Sequence, residues 1–200
     1  MINDSKKLKV DFKFTPFDKG CALACLEMMA RFLKLEINFN LLVKNVGVDE
    51  FGYDLFKIAT WLVKNKIKIE IGFWDKLLFK KSEIDKKANL NSFLKEHQDV
   101  SIFYQKNTGV CKIEPPKISK IKKFINLGYP VIVHLSAKSL GASIEEEIHS
   151  VLVIGYNEKE IIILNPPKIG GEYVKNKDFL HFWQEGGGYY LVIKKPGVSN

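Results

Sequence analysis

Gly20-Cys21-Ala22-Leu23-Ala24-Cys25-Leu26-Glu27-Met28-Met29 passes from loop into helix at a cysteine. From Cys21 to about Leu35 the apolar residues Leu26, Met29, Phe32 and Leu33 recur at helical spacing, so this helix presents one face to the core. Cys21 then stands at the helix N-terminus, where unpaired backbone N–H groups and a partial positive charge lower a thiol's pKa and can hold an oxyanion. Far downstream come an imidazole, His149 in His149-Ser150-Val151-Leu152-Val153-Ile154-Gly155-Tyr156, and an amide, Asn165 in Ile163-Leu164-Asn165-Pro166. A thiol, a base and a group that orients the base are the parts of a nucleophilic site.

Outward from that helix, the N-terminal half is helical. Asn38 to Val46 predicts a second short helix, and Asp54 to Asn65 a third that sets Leu55, Ile58, Ala59 and Leu62 on one face with Asp54 as N-cap. Before Cys21, residues 9–17 alternate apolar and polar and predict an extended arm that Pro16-Phe17-Asp18-Lys19-Gly20 breaks. Ile67 to Phe73 alternates cleanly and predicts a strand. Residues 75–118 read as an insertion or elaborated helical region, with Pro115-Pro116 a break before a helix from Ser119 to Leu127.

The C-terminal part is β-branched in runs: Pro130 to Leu135, Ser150 to Tyr156, Glu160 to Leu164 and Tyr189 to Ile193. Turns at Asn157-Glu158-Lys159 and Gly186-Gly187-Gly188, and a short helix from Asn176 to Trp183, separate these runs and predict an antiparallel sheet. The expected class is α+β, with N-terminal helices carrying the cysteine packed on a C-terminal antiparallel sheet.

With 200 residues, 46% of them hydrophobic, one domain spanning 1–200 with its elaboration at 75–118 is expected. No run of about 18 apolar residues is available to cross a bilayer, and the polar start Met1-Ile2-Asn3-Asp4-Ser5-Lys6-Lys7 lacks a signal peptide's apolar block. A cytoplasmic protein without membrane insertion is the expectation. Cys21, Cys25 and Cys111 neither pair up as a disulfide framework nor show zinc-site spacing, so a reduced compartment and no metal are expected. Cys25, one helical turn beyond Cys21, is most simply a small buried residue.

The net charge of +8 comes from lysines interleaved with acids, without an arginine cluster or a stacking platform, so nucleic acid is not an expected partner. Gly186-Gly187-Gly188 lacks the lysine and helix of a phosphate loop and reads as a turn; no cofactor is implied. His134 sits mid-strand as a satisfied or surface histidine, and His97 and His181 join no constellation. Trp61 and Trp183 belong to the core, Phe73 and Trp74 are open to lining a cleft, and Glu145-Glu146-Glu147 reads as an exposed loop.

Helices with a cysteine, then a sheet with a histidine and an amide, is a layout that resembles papain-like proteins. The motifs resemble those of the bacteriocin leader peptidases, which cut after double-glycine leaders, and their stand-alone relatives. That family's Cys-Gly-Pro-Ala-Cys/Ala-Leu-Ala-Met, Gly-x-Pro-Val-Ile-Val, His-x-Val-Val-Val-Gly-Tyr and Asn-Asp-Pro stand beside four segments here. They are Cys21 to Met28, Gly128-Tyr129-Pro130-Val131-Ile132-Val133, His149 to Tyr156 and Leu164-Asn165-Pro166. The resemblance implies Cys21 as nucleophile, His149 as general base and Asn165 as the group orienting the imidazole, in a cysteine peptidase acting on a peptide or protein. The same triad also serves an acyltransferase or amidase, and a catalytically weak peptide-binding module of this fold is a third reading. Whether a transporter or other chain partners it stays open.

This chain departs from the family at three points. Ala22-Leu23 replaces Gly-Pro, Asn165 stands where aspartate is usual, and Thr15 occupies the region of the oxyanion-hole glutamine, which makes Thr15 the oxyanion-hole candidate. Losing an oxyanion donor costs on the order of 100-fold or more in rate.

Overall fold

The computed structural model describes residues 5–12, 20–48, 52–74, 102–138, 148–166 and 171–195. Helix α1 (Cys21–Leu33) buries Leu26, Met29 and Leu33 as their spacing predicts, and also Ala22, Ala24, Cys25, Met28 and Ala30. Alanine and cysteine leave room for neighbours on every side, so α1 is an interior helix rather than one with a single core face. Its buried Glu27 is held by Arg31, one turn on, at 2.5 Å. The helix ends where Lys34 adopts φ 56 and the Leu35 N–H reaches back to the Ala30 carbonyl.

Two side-chain caps start the next helices. The Asn38 side chain accepts from the Leu41 N–H at the head of α2 (Phe39–Val46), and Asp54 accepts from Phe56 and Lys57 at the head of α3 (Leu55–Lys64). Leu55, Ile58, Ala59 and Leu62 are buried, as the periodicity requires.

Among the described residues, eight strands form one sheet: β1 (Lys6–Lys7), β2 (Ile69–Phe73), β3 (Gly109–Ile113), β4 (Val131–Ser136), β5 (Ile148–Tyr156), β6 (Glu160–Leu164), β7 (Gly171–Lys175) and β8 (Tyr190–Ile193). They lie in the order β3-β2-β8-β4-β5-β6-β7, antiparallel throughout except for the parallel β2–β3 pair. Strand β4 pairs with Ile148 to Val153 of β5, and β1 takes over beside Gly155 and Tyr156. A Cβ on Gly155 would meet the Lys6 carbonyl oxygen at 2.5 Å, so glycine is what lets β1 dock.

The expected α+β class is the one observed, with N-terminal strands added to the C-terminal sheet. Chain pairing before Cys21 falls at Lys6–Lys7, and residues 8–12 are not strand; residues 13–19 of the expected arm lie outside the described residues. Within the expected helical elaboration, residues 75–101 lie outside the described residues and 102–107 are helical (α4), but Gly109–Ile113 is a strand. Gly109 makes that possible, because a Cβ there would meet Tyr104 and Val63 at 2.8 and 2.9 Å.

In β2 the alternating pattern does not give one wet face: all five residues are buried, Glu70 included. Its carboxylate meets Lys194 at 2.8 Å, Lys120 at 3.0 Å and Lys112 at 3.4 Å, and the Tyr190 hydroxyl donates to it at 3.0 Å. Burial pushes the Glu70 carboxyl up, but Lys194 and Lys120 outweigh it and hold the group at about 2.

Helix α5 (Ile118–Asn126) follows Pro115-Pro116, and α6 (Asn176–Glu185) ends in the glycine turn. There Gly187 and Gly188 adopt φ 77 and 65, which bears out the turn reading. Trp183 is buried, donating to the Tyr189 carbonyl at 2.9 Å, and Trp61 packs half-buried against the core. Among the described residues, no helix is long and apolar enough to cross a membrane, and no cluster of histidine, cysteine and carboxylate side chains could hold a metal ion.

Candidate active site

Cys21 is the first residue of α1 and half-buried. Gly20 precedes it and brings no capping side chain, and no acid stands in the first turn, so neither the cap nor the first turn of α1 neutralises the positive end of the helix beside the sulfur. Strand β5, against which α1 packs, brings Ser150 to the thiol. The Ser150 N–H donates to Cys21 Sγ at 3.4 Å, and the Cys25 thiol donates to the Ser150 carbonyl at 3.6 Å. Two turns of one helix are thus tied to one residue of the sheet.

Burial raises the Cys21 thiol, yet its pKa lies below the ordinary value. The hydrogen bond from His149, that residue's charge, and hydrogen bonds from the Ser150 backbone and hydroxyl together outweigh desolvation. The other thiols move the opposite way: burial drives Cys25 well above its usual value and Cys111 to about 12. Of the three, only Cys21 has the surroundings of a thiolate.

His149 and Asn165 are both buried. Pairing of Leu152 with Leu164 fixes the β5–β6 register, and period-two alternation carries it to Asn165, just past the end of β6, as a diagonal neighbour of His149. His149 Nε2 and Asn165 Oδ1 lie 2.8 Å apart. An amide oxygen only accepts, so Nε2 carries the hydrogen and Nδ1 is the nitrogen left for the thiol. On its other side, Asn165 donates Nδ2 to Glu172 Oε1 of β7 at 3.1 Å. The fold therefore gathers Cys21, His149 and Asn165 from α1, β5 and the end of β6.

The Peptidase_C39 like family model matches residues 6–191. The chain belongs to the Peptidase_C39-like family. No curated protein sequence matches it. Several solved structures share its C39-like fold. One is described as a C39-like peptidase from Bacillus anthracis, with 16% identity, a TM-score of 0.57, and coverage of 95% of this chain and 98% of that one. A double glycine motif protease from an AMS/PCAT transporter, solved with the leader peptide, has 13% identity, a TM-score of 0.52, and coverage of 94% of both chains. The peptidase domain of Streptococcus ComA, a bifunctional ABC transporter of a quorum sensing pathway, has 15% identity and a TM-score of 0.53, over 92% of this chain and 100% of that one.

In this C39-like chain, Thr15, His97 and Glu145-Glu146-Glu147 lie outside the described residues. His134 is a packed histidine: its ring lies 5.5 Å from that of Tyr189, and burial, then the charge of His149, lowers it to about 4. Phe73 is fully buried, stacked on Tyr189 at 5.7 Å, and is a core residue rather than a cleft lining. Ser150 and Glu172 are site neighbours that residue type and motif do not single out. Ser150 could be found as the residue beside His149, whereas Glu172 needs the β6–β7 register, which sets it opposite Ile163, two residues before Asn165.

Proposed function

We propose that this protein is a cysteine peptidase in which Cys21 is the nucleophile, His149 the general base and Asn165 the group that orients it. Membership of the C39-like family supports peptide hydrolysis. The observation that carries the assignment of roles is the thiol held below its ordinary pKa by an imidazole that is itself bonded to an amide.

In this reading the Cys21 proton passes to His149 Nδ1 and the sulfur attacks the scissile carbonyl carbon. The oxyanion is stabilised by the first-turn N–H groups of α1, with Thr15 proposed as a side-chain donor. His149 then gives its proton to the leaving amine, and the amine departs from a Cys21 acyl-enzyme. Water loses a proton to the imidazole, attacks the thioester and releases the carboxylic acid product, and the thiol is restored. Asn165 keeps the ring in one tautomer through both halves.

Because two proteins of similar fold are a double glycine motif protease and a transporter's peptidase domain, the proposed substrate is a peptide with a small-residue cleavage site. A transporter is the corresponding candidate partner, the proposed location is the cytoplasm, and residues 1–200 are proposed to form one domain. The test is hydrolysis of peptides carrying a double-glycine site, followed by mass spectrometry with and without an added amine. Cleavage lost in Cys21→Ala and His149→Ala, with free acid as product, is expected. Cleavage that survives Cys21→Ala overturns the assignment, and amide product in place of acid overturns hydrolysis.

A further inference from the structure

We propose that Glu172 is a positioning residue that sets which way the Asn165 amide faces and, through it, which nitrogen of His149 carries the hydrogen. The proposal rests on the roles given above to Cys21, His149 and Asn165.

An asparagine is an ambiguous partner for a histidine. Its oxygen and nitrogen occupy nearly the same shape, and either can be turned to the ring. With Oδ1 toward Nε2, the imidazole carries its hydrogen on Nε2 and offers the Nδ1 lone pair to the thiol. With Nδ2 toward Nε2, the amide donates, the ring must accept there, and its hydrogen moves to Nδ1, where no lone pair is left for the Cys21 proton. The wrong tautomer at an otherwise intact triad costs about 10⁴-fold in kcat.

A carboxylate resolves the ambiguity, because an ionised glutamate only accepts. Glu172 Oε1 lies 3.1 Å from Asn165 Nδ2, while Asn165 Oδ1 lies 2.8 Å from His149 Nε2. Only this orientation satisfies both contacts; the flipped amide would set oxygen against oxygen at Glu172. The register makes the placement a property of the fold. Glu172 pairs with Ile163, and Asn165 follows two residues later on the same face, so His149, Asn165 and Glu172 step diagonally across β5, β6 and β7. Asn165 itself is buried, so no solvent competes for its amide.

The test compares Glu172→Gln, Asn165→Asp and the double variant with wild type and His149→Ala. Two quantities are measured: the pH dependence of Cys21 alkylation, and kcat and KM for a cleaved peptide. Glutamine keeps the shape of glutamate but can donate as well as accept. Glu172→Gln is expected to lower kcat about 10-fold or more with KM little changed, and to move Cys21 alkylation toward the ordinary thiol range near about 8.5. Asn165→Asp alone sets two carboxylates against each other, whereas with Glu172→Gln the new carboxylate accepts from both neighbours. Glu172→Gln is therefore expected to harm the wild-type protein and improve the Asn165→Asp variant. A Glu172→Gln protein with unshifted alkylation, or a double variant no better than Asn165→Asp, overturns the proposal. If His149→Ala shifts alkylation and Glu172→Gln does not, Glu172 alone loses its role. If His149→Ala leaves alkylation unmoved, the triad assignment falls and the proposal with it.

Discussion

Ser150 donates its backbone N–H to the sulfur of Cys21 at 3.4 Å. A hydrogen bond to the charged form of a thiol favours ionisation, and Ser150 supplies a second one through its hydroxyl. Both rank below His149, which acts through a hydrogen bond and through charge. Ser150→Ala keeps the backbone donor and removes the hydroxyl, so its Cys21 alkylation profile is expected to rise by less than that of His149→Ala. Rates of iodoacetamide labelling across the acid-to-alkaline range give the order, and a larger shift in Ser150→Ala contradicts this account.

The three thiols are expected to separate by reactivity. Cys21 is half-buried and lowered, while Cys25 and Cys111 are buried and raised. At neutral pH the folded protein should take up one alkyl group, at Cys21, and in denaturant all of Cys21, Cys25 and Cys111 should be labelled. Peptide mapping by mass spectrometry checks both; early labelling of Cys25 would show that α1 does not hold its thiol against the Ser150 carbonyl.

Removing the proposed general base has a predictable cost. His149→Ala is expected to lower kcat by about 10²–10⁴-fold, and its remaining activity should climb with pH as the unassisted thiol ionises. Steady-state rates from mildly acid to alkaline pH decide this, since a profile parallel to that of wild type would take His149 out of the acid limb.

His134 ties stability to acidity. Its folded pKa of about 4 lies below the ordinary value of 6.5, so the unfolded chain binds more protons between those values and stability falls as pH drops through that window. One proton corresponds to a slope of about 1.4 kcal/mol per pH unit at most. Urea unfolding between neutral pH and about 4 should show this slope in wild type and lose it in His134→Gln.

How much of the fold and site is legible in the chain depends on how local the signal is. The cap at Asp54, the short helix begun at Asn38, the helical stripe of Leu55, Ile58, Ala59 and Leu62, and the β-branched runs of β4, β5, β6 and β8 are decided by neighbours in sequence, and the structure has them where expected. Strand β3 escapes a local reading because its Val-Cys-Lys-Ile core is short and follows a lysine-rich stretch, and its status comes from pairing with β2, distant in sequence. Strand β7 escapes it because its exposed edge carries Glu172, Tyr173 and Lys175, with little apolar signal. At the site, Cys21, His149 and Asn165 stand out by residue type and motif, and the fold brings them together. Glu172 does not, because a single glutamate acquires meaning only from the strand register that sets it beside Asn165.

Among the described residues Glu70 is a buried carboxylate that meets three lysines, and its removal should show as lost stability rather than lost chemistry. The carboxylate is buried under Lys194 and Lys120, both largely buried themselves, while the Lys112 side chain is 46% exposed. Glu70→Ala takes a buried counter-charge from Lys194 and leaves Lys120 with Glu114 alone, and breaking a buried pair from one side costs about 3–5 kcal/mol. The pH signature separates this from the effect of His134. A carboxyl held at about 2 against an ordinary value of 4.5 contributes stability that is fully present above 4.5 and is lost as pH falls from 4.5 toward 2. Urea midpoints at neutral pH and at about pH 3 test both parts: Glu70→Ala should fall well below wild type at neutral pH, and the gap should narrow in acid. An equal gap at both values would mean that the lost packing of the side chain, not its charge, is what the sheet needs.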